Sequence, residues 1–198
     1  MKRKINKKIV ALGSVAVLGL SAIGASAFFT DMESKSVEAN AGTFGIGVVD
    51  STVLDTDTDG ILNPGDTGTV AFDITNEGEK SADLQAVIKV VSSVPMTEDA
   101  YEYNIEGAGT PEVSENKTAL TYTVDLGTVN GSIETEESVE TTEASGSYTF
   151  NFEKAAKNAF QDSDVEVSYT IYAKQHRNTT AEDWANAETV FEHVETIE

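Results

Sequence analysis

The sequence predicts a mainly β protein: a single jelly-roll-like β-sandwich with short helices, preceded by an N-terminal leader that is cleaved. Three observations predict it. Short runs rich in Tyr, Thr, Val and Phe recur along the chain, set apart by Gly, Asn, Asp and Pro clusters. Helical spacing is confined to two short segments near the C-terminus. The first 27 residues carry the charge and hydropathy pattern of an export signal.

The leader opens with Lys2, Arg3, Lys4, Lys7 and Lys8, continues through an uncharged apolar run over 9–24, and closes on Ala25-Ser26-Ala27. That small-residue site places cleavage between Ala27 and Phe28. The apolar run is short for a membrane span, which needs roughly 20 residues, so the chain meets the membrane only before cleavage. Residues 28–40 form a segment of their own, with Phe28, Phe29 and Met32 as its apolar positions in an otherwise polar stretch. On the residues alone, the two phenylalanines fit either insertion into a neighbouring molecule or a first strand of the chain's own sandwich.

The sandwich domain spans 41–198. Residues 43–49 read as a strand with glycines that permit bending, and 67–76 alternates, with Val70, Phe72 and Ile74 on one face. Residues 84–91 are apolar on both faces, as a fully covered strand would be. Residues 101–105, 120–126, 148–152 and 165–173 complete the strand set. Helix is expected in two places. Residues 153–160 read as a short connector. Residues 180–194 carry a Thr cap, acidic residues in the first turn, and Trp184, Ala187 and Phe191 at helical spacing. The segment near 131–146 is rich in Glu, Ser and Thr and reads as an acidic loop.

Composition narrows the function classes. The chain has 13 Lys and Arg against 34 Asp and Glu, a net charge of −21. Without the five basic leader residues, 8 remain against the same 34 acids, giving −26 over 171 residues. Such a charge repels nucleic acid and anionic membranes and favours solubility outside the cell, with divalent cations as candidate counter-ions. There is no cysteine, which excludes thiol nucleophiles, thiolate metal sites and disulfide staples.

The sharpest local motif is Asp55-Thr56-Asp57-Thr58-Asp59-Gly60, with oxygen side chains at alternate positions, a following glycine, and Asp66 where a calcium loop carries its last ligand. Asp at that position in place of the longer Glu, and Pro64 within the loop, fit an acidic turn equally well. Asp55, Asp57, Asp59 and Asp66 are therefore the candidate calcium ligands. No cofactor is otherwise called for. The two histidines, His176 and His193, belong to no H-E-x-x-H pattern, and no serine sits in a nucleophile motif. An enzyme is not expected.

The cleavage site with Phe28-Phe29-Thr30-Asp31 behind it, Ala41-Gly42-Thr43-Phe44-Gly45-Ile46, the turn Leu62-Asn63-Pro64-Gly65-Asp66, and the strand ending Asn76-Glu77-Gly78 occur in order. Near the end stand Ala173-Lys174-Gln175 and Arg177-Asn178-Thr179. Together these resemble the TasA/camelysin (CalY) family of biofilm-matrix fibre proteins, whose leaders are removed by SipW-type signal peptidases. The resemblance implies a jelly-roll-like sandwich that is secreted to the extracellular matrix or cell surface and polymerises head to tail. In that family the N-terminal segment of one subunit adds as a strand to the next. Transferred here, the donor is about 28–37, with Phe28, Phe29 and Met32 as anchors. The partners are other copies of the chain, the signal peptidase and other matrix components. The alternatives are a monomeric surface-binding module, with or without calcium, and a secreted metalloprotease of the camelysin type.

Overall fold

The computed structural model describes residues 39–41, 44–54, 63–97, 101–132, 141–156, 160, 163–177 and 181–197. The chain divides into a unit Met1–Asp31, which lies outside the described residues, and a unit Met32–Glu198, to which all the described residues belong. The leader, the cleavage pair Ala27 and Phe28, and the anchors Phe28, Phe29 and Met32 also fall outside the described residues.

Ten strands are described: β1 Ala39–Ala41, β2 Phe44–Asp50, β3 Thr67–Asn76, β4 Ala82–Ser92, β5 Tyr103–Glu106, β6 Glu112–Val113, β7 Ala119–Val129, β8 Glu143–Phe152, β9 Val165–Gln175 and β10 Glu188–Ile197. They form two antiparallel five-stranded sheets, ordered β1-β2-β3-β8-β5 (sheet A) and β10-β9-β4-β7-β6 (sheet B). This is the β-sandwich expected. The chain passes between sheets from β3 to β4, β4 to β5, β5 to β6, β7 to β8 and β8 to β9.

Alternation in the sequence becomes alternation in burial. Val70, Phe72 and Ile74 of β3 point into the core, as do Leu84, Ala86, Ile88 and Val90 of β4 and Val167, Tyr169 and Ile171 of β9. Each of the Val, Leu, Ile and Phe side chains among them contributes about 1.5–3 kcal/mol when fully withdrawn from water. Aromatic rings tie the sheets together: Phe72 of β3 stacks on Tyr169 of β9 at 5.0 Å between centroids, and Tyr169 on Phe191 of β10 at 5.6 Å. A second cluster joins Tyr103, Phe150, Phe152 and Phe160. There the Tyr103 and Ser163 hydroxyls share a 2.6 Å hydrogen bond.

Two expectations need correction. Residues 180–194 are not a helix. Ala181–Asn186 is a short 3-10 turn, and Glu188–Ile197 is β10, paired antiparallel to β9 from Glu188↔Ala173 to Ile197↔Val165. The spacing Trp184, Ala187, Phe191 is only three points, whereas Phe191, His193, Glu195 and Ile197 recur at period two in a β-branched run. A register shift between Thr189 and Phe191 lets both Val190 and Phe191 be buried, which blurred that period. The acidic loop is also shorter than 131–146. Residues 133–140 lie outside the described residues, but β8 already begins at Glu143, five residues before the expected strand. Gly146 sits opposite Phe72, whose ring occupies the space a side chain at 146 would need. A polar stretch is thereby held as strand by its partner. Of the expected connector 153–160, residues 154–155 form a turn and 157–159 are outside the described residues.

Candidate functional site

Two of the motifs seen in the sequence act on the chain's own turns. Asn63-Pro64-Gly65-Asp66 is a type II turn. Pro64 supplies the fixed φ, Gly65 adopts φ 106°, and the Asp66 N–H donates to the Asn63 carbonyl at 2.9 Å. The Asp66 carboxylate accepts from the Asn63 N–H at 2.5 Å, so this oxygen closes the turn. The other candidate calcium ligands, Asp55, Asp57 and Asp59, lie outside the described residues.

Asn76 is buried at the end of β3 and organises the passage to β4. Its side-chain oxygen accepts from the Gly78 N–H at 3.0 Å, and its amide donates to the Lys80 carbonyl at 2.8 Å. The Glu77 N–H donates to the Gly45 carbonyl, and the Ser132 N–H to the Gly78 carbonyl. Gly131 packs so closely on the Glu79–Lys80 peptide that a Cβ there would overlap it. The glycine-bearing segments around positions 45, 78 and 131 thus meet at one corner, beside the strand β1 that follows the N-terminal segment.

A charged pair joins the two sheets elsewhere, between β2 and β10. His193 of β10 bonds through Nδ1 to Asp50 Oδ2 of β2 at 2.6 Å, linking sheet B to sheet A. Glu195 Oε2 stands 3.7 Å from His193 Nε2, and the ring stacks on Tyr169 at 5.3 Å. The bond to Asp50, with Glu195 adding to it, outweighs burial and raises His193 to about 9. Burial opposes the Asp50 charge, but bonds from His193 and from the Thr52 N–H (2.8 Å) outweigh it and bring Asp50 down to about 2. Burial, and then the Asp50 charge, push the Tyr169 phenol well above its usual value. Its hydroxyl lies near Asp50 and Thr52 but makes no well-formed hydrogen bond. Sequence reading singled out His193 only as lacking a metal motif. Its pairing with Asp50 is a contact between sheets that spacing cannot reveal.

His176 belongs elsewhere. Its Nδ1 meets Asp83 Oδ1 at 2.5 Å on the outer face of sheet B, where Thr128 also donates to Asp83 at 2.7 Å. Lys174 lies 4.7 Å above the Trp184 ring on the same face.

Acidic, cysteine-free and built of two antiparallel sheets, the chain has the architecture of a β-sandwich protein. The camelysin metallo-endopeptidase family matches residues 1–106, and the chain belongs to that family. No curated protein matches it significantly. A solved structure titled "AvmM Catalyzes Macrocyclization in Alchivemycin A Biosynthesis" aligns at 10% identity and a TM-score of 0.38, over 82% of this chain and 95% of that one, a likeness too low to carry an argument.

The family description implies a metal ion. A peptidase metal centre needs several donors converging on one point. Both histidines of the chain are described, and they face opposite sides of sheet B. His193 lies opposite Tyr169, and the path from there to His176 along β9 covers roughly 20 Å at about 3.3 Å per residue. Among the described residues no three His, Asp or Glu side chains are placed to hold a metal. The described residues do not fit such a centre.

Proposed function

We propose that this chain is an exported structural subunit, not an enzyme, whose freed N-terminal segment adds as a strand to a neighbouring copy and builds matrix or cell-surface fibres. One observation carries the reading. The first described residues, Ala39–Ala41, form the edge strand of sheet A, pairing with Phe44–Ile46 and, among the described residues, leaving that side of Gly47–Asp50 without a strand partner. Among the described residues, that edge offers backbone groups to which a strand can add. Unpaired edge N–H and C=O groups are a template for strand addition, with alternate side chains filling pockets. The contact is head to tail and does not close on itself, so repetition yields a filament. Family membership supports a family-level role, and the −26 charge of the cleaved chain suits an extracellular polymer.

Leader removal is the step that frees Phe28. Signal peptidase is the processing partner, and other matrix components are the further partners. Calcium at Asp55, Asp57, Asp59 and Asp66 is an optional stabiliser, reported by a fall in melting temperature on chelation. The test uses purified protein beginning at Phe28, with and without residues 28–37, viewed by electron microscopy and sized by light scattering. The full mature chain forms filaments, while the shortened chain stays monomeric with an unchanged melting temperature. Filaments from the shortened chain would overturn the reading.

A further inference from the structure

We infer that the cleft at the β5 edge of sheet A is a binding site for a neutral glycan. The cleft is an open groove of about 710 Å³ between Tyr101, Asn104 and Glu106 of the β5 region, the loop after it, and Asn151 and Glu153 at the end of β8. That volume lies within the roughly 300–1,000 Å³ of small-molecule sites. It stands at the opposite edge of sheet A from β1, so it is independent of strand addition at the N-terminal edge.

Its polar groups are already lined up. The Asn151 amide donates to Asn104 Oδ1 at 3.2 Å, and the Asn104 amide donates to Glu153 Oε1 at 2.9 Å. These bonds fix three side chains on neighbouring strands. They leave a second amide hydrogen on Asn104, lone pairs on Asn151 Oδ1 and the second carboxylate oxygen of Glu153 to meet a ligand. Donor and acceptor thus alternate along the wall, as a rim of sugar hydroxyls requires. Tyr101, half-buried against the core, supplies an aromatic surface for the C–H face of a sugar ring. Gly107 and Gly109 turn the loop with φ 91° and 90° and place no side chain at the cleft mouth.

Two rival occupants fit less well. An added peptide strand needs the outward N–H of β5, but the Ile105 N–H already donates to the Tyr122 hydroxyl at 3.1 Å. An anionic polymer meets Glu106 and Glu153 at the rim of a chain with net charge −21.

The experiment titrates isotope-labelled protein that begins at residue 38, which strand addition cannot polymerise, with cellohexaose, chitohexaose and mannohexaose, and with hexagalacturonate as the anionic control, followed by amide NMR shifts. At least one neutral probe binds with Kd of about 1 mM or tighter and shifts the amides of 101–107 and 149–153. Asn151→Ala and Tyr101→Ala each weaken it about tenfold, the loss of one hydrogen bond or one ring contact, in protein that is still folded. Glu153→Gln, an exposed and conservative change, tests the same wall should Tyr101→Ala fail to fold. No binding by any neutral probe, equal binding of hexagalacturonate, or binding untouched by Asn151→Ala and Glu153→Gln overturns the inference.

Discussion

Replacing His193 with Gln removes the cation that joins β10 to Asp50 while keeping a side chain of similar reach. Raising His193 from 6.5 to about 9 corresponds, at about 1.4 kcal/mol per pKa unit, to about 3 kcal/mol of interaction favouring the protonated ring in the folded state. The lowered Asp50 value reports the same bond from its other end and is not added to it. Because the folded pKa is raised, this stabilisation is complete below about pH 6.5 and drains away as pH rises through about 9. At the acid end the Asp50 contribution, present above 3.8, is lost as pH falls towards about 2. Among the described residues the groups facing the ring are Asp50 from β2, Glu195 from β10 itself and Tyr169 from β9, none of them a cation. Urea unfolding of wild type and His193→Gln at intervals from about pH 5 to about pH 10 isolates the effect as a difference. The wild type should lead by about 3 kcal/mol near pH 6 and by less than about 0.5 kcal/mol near pH 10. Two curves running parallel across that range would refute the assignment of His193 as a charged clamp between the sheets.

Three further outcomes test the reading of individual residues. Tyr169→Phe removes a buried hydroxyl without a well-formed hydrogen bond, so unfolding free energy should change by less than about 0.5 kcal/mol; a loss above about 1.5 kcal/mol would mean the phenol bonds Asp50. Asn76→Ala strips the buried passage from β3 to β4 of its side-chain bonds and should cost about 2–3 kcal/mol in chemical denaturation, with no change in any surface property. Asp66→Ala should cost about 1 kcal/mol with calcium chelated, because the carboxylate holds the Asn63 N–H regardless of any ion; no loss under chelation would assign Asp66 wholly to metal binding.

Where burial alternates cleanly, the strands were legible. Val70, Phe72 and Ile74 announced β3, and the apolar run from Leu84 announced β4, although Lys89 and Val91 are exposed and that strand buries one face rather than the two expected of it. The Pro-Gly turn at 64–65 was equally plain, since φ above zero at Gly65 and a fixed φ at Pro64 are local demands. The polar half of β8 and the bulged start of β10 were not. Gly146 is strand because Phe72 lies over it, and β10 is strand because β9 offers a ladder the full length from Val165 to Ala173. The ion pairs were out of reach for the same reason: Asp50 and His193 are far apart in sequence and meet only because two sheets face each other.

By itself, then, the sequence determined what is local: the acidic composition, the period-two strands, the glycine and asparagine turns, and the family they compose. The tertiary structure alone decided which strand lies beside which, and with that the cleft beside β5 and the charged bond between β2 and β10. The physical reason is range. Propensity, turn chemistry and burial period act over a few residues, whereas sheet order and inter-sheet electrostatics depend on segments brought together only when the core closes.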